Sequence, residues 1–188
     1  MINLASKKGK KKRNNRGKSP GKKKKKGGKA KKIAFDKAST AFFIMPAEVL
    51  LTLRAELSPL ASDLAVRAIL FRYGFRSGEA CIQRLGIKAK EEKFPDILPD
   101  LWDEIGLGRL EMKKSKEESF TIQLNEYIEG NVMGKIGQAS CDFTRGYLAG
   151  IISQLTGQRY HCREEECISR GDAHCMFLLN IREKRGET

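Results

Sequence analysis

The run DFTRGYLAGIISQLTG at residues 142–157, followed by YHCREEECISRGDAHCMFLLNI at residues 160–181, decides the fold class of this chain. In the first run Phe143, Tyr147, Leu148, Ile151, Ile152 and Leu155 fall on one helical stripe, and Gly157 follows as a C-terminal cap. Gly146 and Gly150, four residues apart, let another backbone come close. In the second run Arg170-Gly171-Asp172 is a turn that requires a glycine, so residues 160–166 and 168–181 are expected to pair as a hairpin.

The segments upstream complete the pattern. Leu110 and Met112 alternate with Arg109 and Glu111, and Phe120, Ile122 and Leu124 alternate with Thr121, Gln123 and Asn125, which predicts another hairpin. Before it, Pro46 is placed to start a helix through Val49, Leu50, Leu53 and Leu57 that breaks at Ser58-Pro59. The stretch from Leu60 to Tyr73 is apolar nearly all round and reads as a buried central helix. Gly74 and Gly78 are expected to bend or interrupt it before a second piece carrying Cys81, Ile82 and Leu85, ended by Gly86. Pro95 and Pro99 bracket a predicted loop before a helical turn around Trp102 and Ile105. The order helices, hairpin, helix, hairpin predicts an α+β domain with an antiparallel sheet.

The charge of the chain is confined to one end. Residues 1–32 hold sixteen Lys or Arg and no Asp or Glu, whereas the remainder holds 21 basic against 23 acidic residues. The segment is too poor in apolar residues to offset its ordering entropy and is read as a disordered tail. Residues 33–182 are then one domain of about 150 residues, enough to bury roughly two-thirds of its unfolded surface, and 183–188 a flexible C-terminus. A lysine tail of this kind suits non-specific, salt-sensitive contact with polyanions, nucleic acid or anionic membrane, as well as simple solubilisation. The start of the sequence lacks the apolar stretch of a secretory signal and no run reaches the length of a membrane span, so a cytoplasmic location is expected.

Five cysteines in a chain without an export signal point to thiols or metal ligands before a disulfide framework. A hairpin centred on Gly171 sets Cys167 opposite Cys175, Ile168 opposite His174 and Ser169 opposite Ala173. Directly opposed residues have Cβ atoms about 4.5 to 5.5 Å apart, which lets two sulfurs share a metal ion. Tetrahedral zinc needs two further ligands. Cys141 is the natural distant candidate, and simple alternation favours Glu165 over Glu164 as the other, unless a bulge reverses the choice. Paired cysteines also occur as buried thiols or redox couples, and a thiolate-rich site accepts iron as well as zinc. His161 and His174 read as surface or supporting residues, Cys162 as an idle thiol and Cys81 as core.

Residues 141–175 resemble the 4-vinyl-reductase domain family, which also forms the sensory domain of phenol- and xylene-responsive transcription activators. The residues that carry the resemblance are Cys141, Gly146, Tyr147, Gly150, Gly157, Glu164, Cys167, Gly171, Asp172 and Cys175, about a fifth of the chain counted as a segment. The resemblance implies a structural zinc on Cys141, Glu164, Cys167 and Cys175, hence a bulge or bend between Glu164 and Cys167. It further implies helices packed on a twisted antiparallel sheet, the ligand-binding fold type of NO-signalling and Golgi-transport proteins, shared with TRAPP vesicle-tethering subunits and usually dimeric. Phe71, Phe75, Phe120, Phe143 and Tyr147 are the candidate lining of its apolar cavity.

The function expected from these readings is a zinc-stabilised module that binds or senses a small apolar or aromatic molecule and signals through a partner protein. The family's name implies a second possibility, a tetrapyrrole 4-vinyl reductase or its accessory factor. Yet Gly106-Leu107-Gly108 lacks the third glycine and following helix of a dinucleotide loop, and no nucleophile or metalloprotease motif is present. A zinc with four protein ligands has no open position for catalysis, so enzyme activity is not expected. A TRAPP-like assembly scaffold and a thiol redox switch are the remaining alternatives.

Overall fold

The computed structural model describes residues 46–87, 94–115, 118–125 and 128–182. The basic segment 1–32 and the C-terminal residues 183–188, read above as tail and flexible end, lie outside the described residues. Among the described residues five α-helices and four strands follow in the order α1 (Glu48–Leu57), α2 (Asp63–Leu85), α3 (Phe94–Glu104), β1 (Arg109–Lys114), β2 (Phe120–Asn125), α4 (Ile128–Met133), α5 (Asp142–Thr156), β3 (Tyr160–Glu166) and β4 (Cys175–Ile181). The strands form one antiparallel sheet of order β1-β2-β4-β3, so the two sequence hairpins lie side by side, joined through β2 and β4. The fold is α+β.

Alternation sorts the sheet into two faces. Phe120, Ile122 and Leu124 of β2, Phe177 and Leu179 of β4, and Tyr160 and Cys162 of β3 are buried against Leu148, Ile151, Ile152 and Leu155 of α5. Their intervening neighbours Thr121, Gln123, Met176 and Leu178 are only half-buried, the pattern of a sheet with one face in the core.

Helix α2 departs from expectation twice. It runs unbroken for 23 residues from its Ser62 cap to Gly86, whose φ of 65° ends it. Gly74 and Gly78 do not interrupt it because they are where α5 touches it. A Cβ on Gly74 would stand 2.1 Å from the Phe143 carbonyl oxygen, and one on Gly78 2.3 Å from that of Tyr147. Gly146 and Gly150 answer from α5, with a Cβ 2.0 Å from the Phe71 oxygen and 2.1 Å from the Phe75 oxygen. Nor is α2 buried all round: Leu64 is 79% exposed, and Ile69 and Tyr73 are exposed as well.

The proline-bracketed loop is likewise a helix, α3, with Pro95 in its first turn and Pro99 inside it. Burial of Leu98, Leu101 and Trp102 outweighs the one hydrogen bond that an internal proline removes. Trp102 Nε1 donates to the Leu107 carbonyl at 2.9 Å, fixing the turn into β1. Helix α4, only six residues long, has no counterpart in the sequence reading. Among the described residues no helix is long and apolar enough to cross a membrane.

Candidate metal centre

Three elements bring four donors to one point. Cys141 is the residue before α5, Glu164 lies near the end of β3, Cys167 follows β3, and Cys175 opens β4. Their ligand atoms all lie within 4.8 Å of one another. Cys141 Sγ is 3.8 Å from Cys167 Sγ and 3.7 Å from Cys175 Sγ. A tetrahedral ion with metal to sulfur bonds of about 2.3 Å requires sulfurs about 3.8 Å apart, so the spacing fits such an ion and excludes a disulfide. All five cysteines of the chain are free and buried.

The carboxylate is chosen by a bulge. Glu164 pairs with Phe177 and Glu166 with Met176, so Glu165 is an extra residue on β3. Up to Glu164, the even residues Cys162 and Glu164 face the core; beyond the extra residue the phase reverses and Cys167 turns inward. Alternation without a bulge favours Glu165, which instead pairs with Arg163 outside. Glu164 Oε2 accepts from the Cys141 backbone N–H at 3.3 Å. Its Oε1 is buried with no hydrogen-bond partner, an orphaned acceptor of the kind a cation satisfies.

The hairpin turn differs from the sequence expectation. Ile168 and Ser169 do not pair with His174 and Ala173; Ile168–Arg170 forms a 3-10 turn ended by Gly171 at φ 113°. Asp172 supports it, its Oδ2 accepting from the Cys167 N–H at 2.8 Å and from Arg170 Nε at 2.9 Å. The turn carries Ser169 inward, where its hydroxyl donates to the Gly130 carbonyl at 3.0 Å and meets that of Ser140 at 2.7 Å. Gly130 of α4 backs the centre: a Cβ there would lie 3.2 Å from Cys175 Sγ.

The protonation of the cluster follows from crowding. Hydrogen bonds from Cys141 and Cys175 hold the Cys167 thiol below its usual range, whereas hydrogen bonding to Cys167 and Cys175, then burial, push Cys141 above it. Burial, followed by the hydrogen bond with Cys167, pushes Glu164 up to about 8. Four anionic ligands cannot ionise together here without a cation.

Two carboxylates that the sequence did not single out secure the start of α5. Asp142, 1% exposed at its side chain, pairs with Arg54 of α1 and with Arg145, each at 2.6 Å, and with Arg67 of α2 at 3.3 Å. Glu129 of α4, also buried, accepts from the Phe143 and Thr144 N–H groups at 3.2 and 2.9 Å and from the Thr144 hydroxyl. Asp142 carried the local hint of Arg145 three residues on; Glu129 carried none.

The five candidate pocket aromatics do not converge. Phe71 and Phe75, with ring centroids 6.5 Å apart, line a cleft of about 310 Å³ between α2 and β3, together with Arg72, Arg76, Arg159, Tyr160, His161 and Arg182. Phe120 is buried against Tyr160 at 5.6 Å. Phe143 stacks on Tyr147 at 5.7 Å, and Tyr147 in turn meets Trp102 at 5.8 Å. These three rings pack the structure elsewhere than the cleft. His174 bonds Glu166 at 2.9 Å, Cys162 lies in the sheet core, and Cys81 is buried.

Comparison with known proteins bears on the fold. Residues 120–181 match the vinyl-4-reductase domain, the type that the cysteine spacing resembles. An uncharacterized protein of Methanocaldococcus jannaschii is 24% identical over 125 residues, 66% of this chain and 70% of its own length. The phenol-responsive sensory domain of the transcription activator PoxR, solved with phenol, is 23% identical and superposes with a TM-score of 0.64 over 74% of this chain and 76% of its own. A trafficking protein particle complex subunit 3 of Naegleria fowleri, covalently bound to palmitic acid, is 16% identical with a TM-score of 0.59, over 75% of this chain and 95% of its own. The fold is shared with both.

Proposed function

We propose that this chain, whose residues 120–181 match the vinyl-4-reductase domain, is a zinc-stabilised small-molecule-binding module, dimeric, located in the cytoplasm, that passes ligand occupancy to a partner protein. The observation that carries the reading is the Cys141, Glu164, Cys167, Cys175 cluster, four donors within 4.8 Å of one another with an orphaned carboxylate oxygen among them.

Zinc bound there supplies the positive charge that lets the thiols ionise and ties chain segments 34 residues apart. The residues do the rest. Cys141 fixes the first turn of α5 to the β3–β4 end of the sheet, Gly130 leaves space for the sulfurs, and Asp172 sets the backbone at Cys167. With all four ligands from the protein, the centre is structural. The ligand site is the cleft walled by Phe71, Phe75 and Tyr160, on the face where α2 meets β3. The likeness to a phenol-responsive domain supports a small apolar or aromatic ligand.

Native mass spectrometry of the full chain beside its Cys175→Ser variant tests this. One zinc per subunit, absent from the variant, is the expected result. A metal-free wild type that folds normally ends the zinc reading. Iron in place of zinc corrects the metal and leaves the site standing.

A second reading has its own observation. Leu60, Leu64, Ile69 and Tyr73 form an exposed apolar set, and the shared fold with a subunit of a trafficking complex supports reading this face as an assembly surface. Co-purification of a stoichiometric partner that is lost with Leu64→Glu, from a protein that retains no small molecule, supports the scaffold over the sensor.

A further inference from the structure

The cleft between α2 and β3 is not a plain apolar pocket. Phe71 is half-buried, and Phe75 and Tyr160 are buried, whereas Arg72, Arg76, Arg159, His161 and Arg182 around them are all exposed. No Asp or Glu of the described residues lines it. Among the described residues Arg76 alone of the four arginines has a carboxylate partner, Glu79 at 2.8 Å. Arg159 lies with its guanidinium 5.6 Å over the Phe75 ring, which holds a planar two-pronged donor against the aromatic wall.

An uncharged aromatic ligand would leave these cations unmatched, and a bare inorganic anion would leave the rings unmatched. The occupant that answers both has a carboxylate for the arginine fork and an apolar body for the wall. The volume, about 310 Å³, is at the small end of ligand pockets, which begin near about 300 Å³. Burial, then Arg145, Arg182 and Arg163, hold the His161 imidazole below its usual pKa, so at neutral pH it is an uncharged hydrogen-bonding neighbour.

We propose that this cleft binds a small organic carboxylate, its carboxylate on Arg159 and Arg182 and its apolar body on Phe71, Phe75 and Tyr160. The proposal rests on the reading of the chain as a small-molecule module and narrows its ligand class. Aromatic and alkyl acids share this chemistry, and the test separates them.

Isothermal titration of the full chain with benzoate, octanoate, phenol and inorganic phosphate, repeated on Arg159→Gln/Arg182→Gln, decides the matter. The variant keeps residues 1–32, so anion binding by the lysines cancels in the comparison. The expected result is single-site binding of benzoate or octanoate, about tenfold or more tighter than phenol or phosphate and weakened about tenfold or more in the variant. The variant's phenol affinity and melting temperature should be unchanged. Benzoate ahead of octanoate assigns a ring as the body; the reverse assigns a chain. Phenol binding without carboxylate binding, or carboxylate affinity indifferent to the two substitutions, overturns the proposal and leaves the module reading intact. Phosphate binding as tightly as either acid overturns the requirement for an apolar body. Saturable binding of none of the four removes both this proposal and the small-molecule assignment of the cleft.

Discussion

Glu129 and Glu164 are two buried or half-buried carboxylates within reach of the same helix start, and their partners separate their roles. Glu164 presents an empty oxygen to three sulfurs; both oxygens of Glu129 are occupied by donors from Phe143 and Thr144. Burial nevertheless outweighs those donors and pushes Glu129 up to about 7 from an ordinary 4.5. A carboxyl raised in the folded state favours folding in its protonated form. Its contribution is therefore full below about pH 4.5 and is lost as pH rises through about 7, a change of about 3 kcal/mol. Urea unfolding of wild type and Glu129→Gln should show the stability difference between them falling by that amount from pH 4.5 to 8. Taking the difference cancels the ionisations that the substitution leaves alone, the exception being Cys141, whose thiol the Glu129 charge also raises; a difference flat with pH refutes the assignment. At this scale the sequence was readable where chemistry recurs at fixed spacing, as for Cys167 and Cys175 around Gly171. It was silent on Glu129, whose partners sit fourteen and fifteen residues away and meet it only in the fold.

Between α2 and α5 the contact is made by backbone rather than side chains. The two glycine pairs interlock, each lying against a carbonyl of the other helix. Replacing Gly150 by Ala places a methyl group 2.1 Å from the Phe75 oxygen, so the helices must separate. Calorimetry should show a loss of about 3 kcal/mol, the upper range for overpacking. Gly134→Ala, at φ 67° with nothing near its new methyl, should cost only the backbone strain of about 1 to 2 kcal/mol. Equal losses in the two variants would mean that the helices slide apart freely. This contact explains what was legible in the elements. One glycine pair, on a clearly amphipathic helix, reads as a close approach; the other, with the local penalty for helical glycine in view, reads as a break. Both readings follow local rules, and only the partner helix distinguishes them. The same limit hid α3, whose prolines oppose helix locally and whose Trp102 and Leu101 stabilise it through burial, and the bulge at Glu165, which period alone does not reveal. The first hairpin, α5 and strand β3, where local preference and burial agree, were readable with nearly their final bounds, whereas β4 begins at Cys175 and not at Ile168, because residues 168–170 form the 3-10 turn that carries Ser169 inward.

The whole molecule exposes one face that its own described residues do not cover. Helix α1 buries none of its residues, yet Val49, Leu50, Leu53 and Leu57 line an apolar groove of about 350 Å³ with Ile69 and Tyr73 of α2. Leu64 and Leu60 stand exposed near the same turn of chain. A contiguous exposed apolar groove marks an interaction surface, and a two-fold pairing of identical faces is the commonest way to cover one. Within the chain α1 is held through Arg54, whose partner Asp142 follows the metal-cluster residue Cys141, so docking on α1 and order at the cluster act on one helix start. Sedimentation equilibrium of the full chain should give twice the 21.1 kDa subunit mass. Leu64→Glu/Ile69→Glu should give the single mass with the metal content unchanged, because both side chains are exposed and neither is a donor of the cluster. A wild type that is monomeric at tens of micromolar would leave the face to a different protein, and a variant that remains dimeric would move the two-fold contact off α2 altogether.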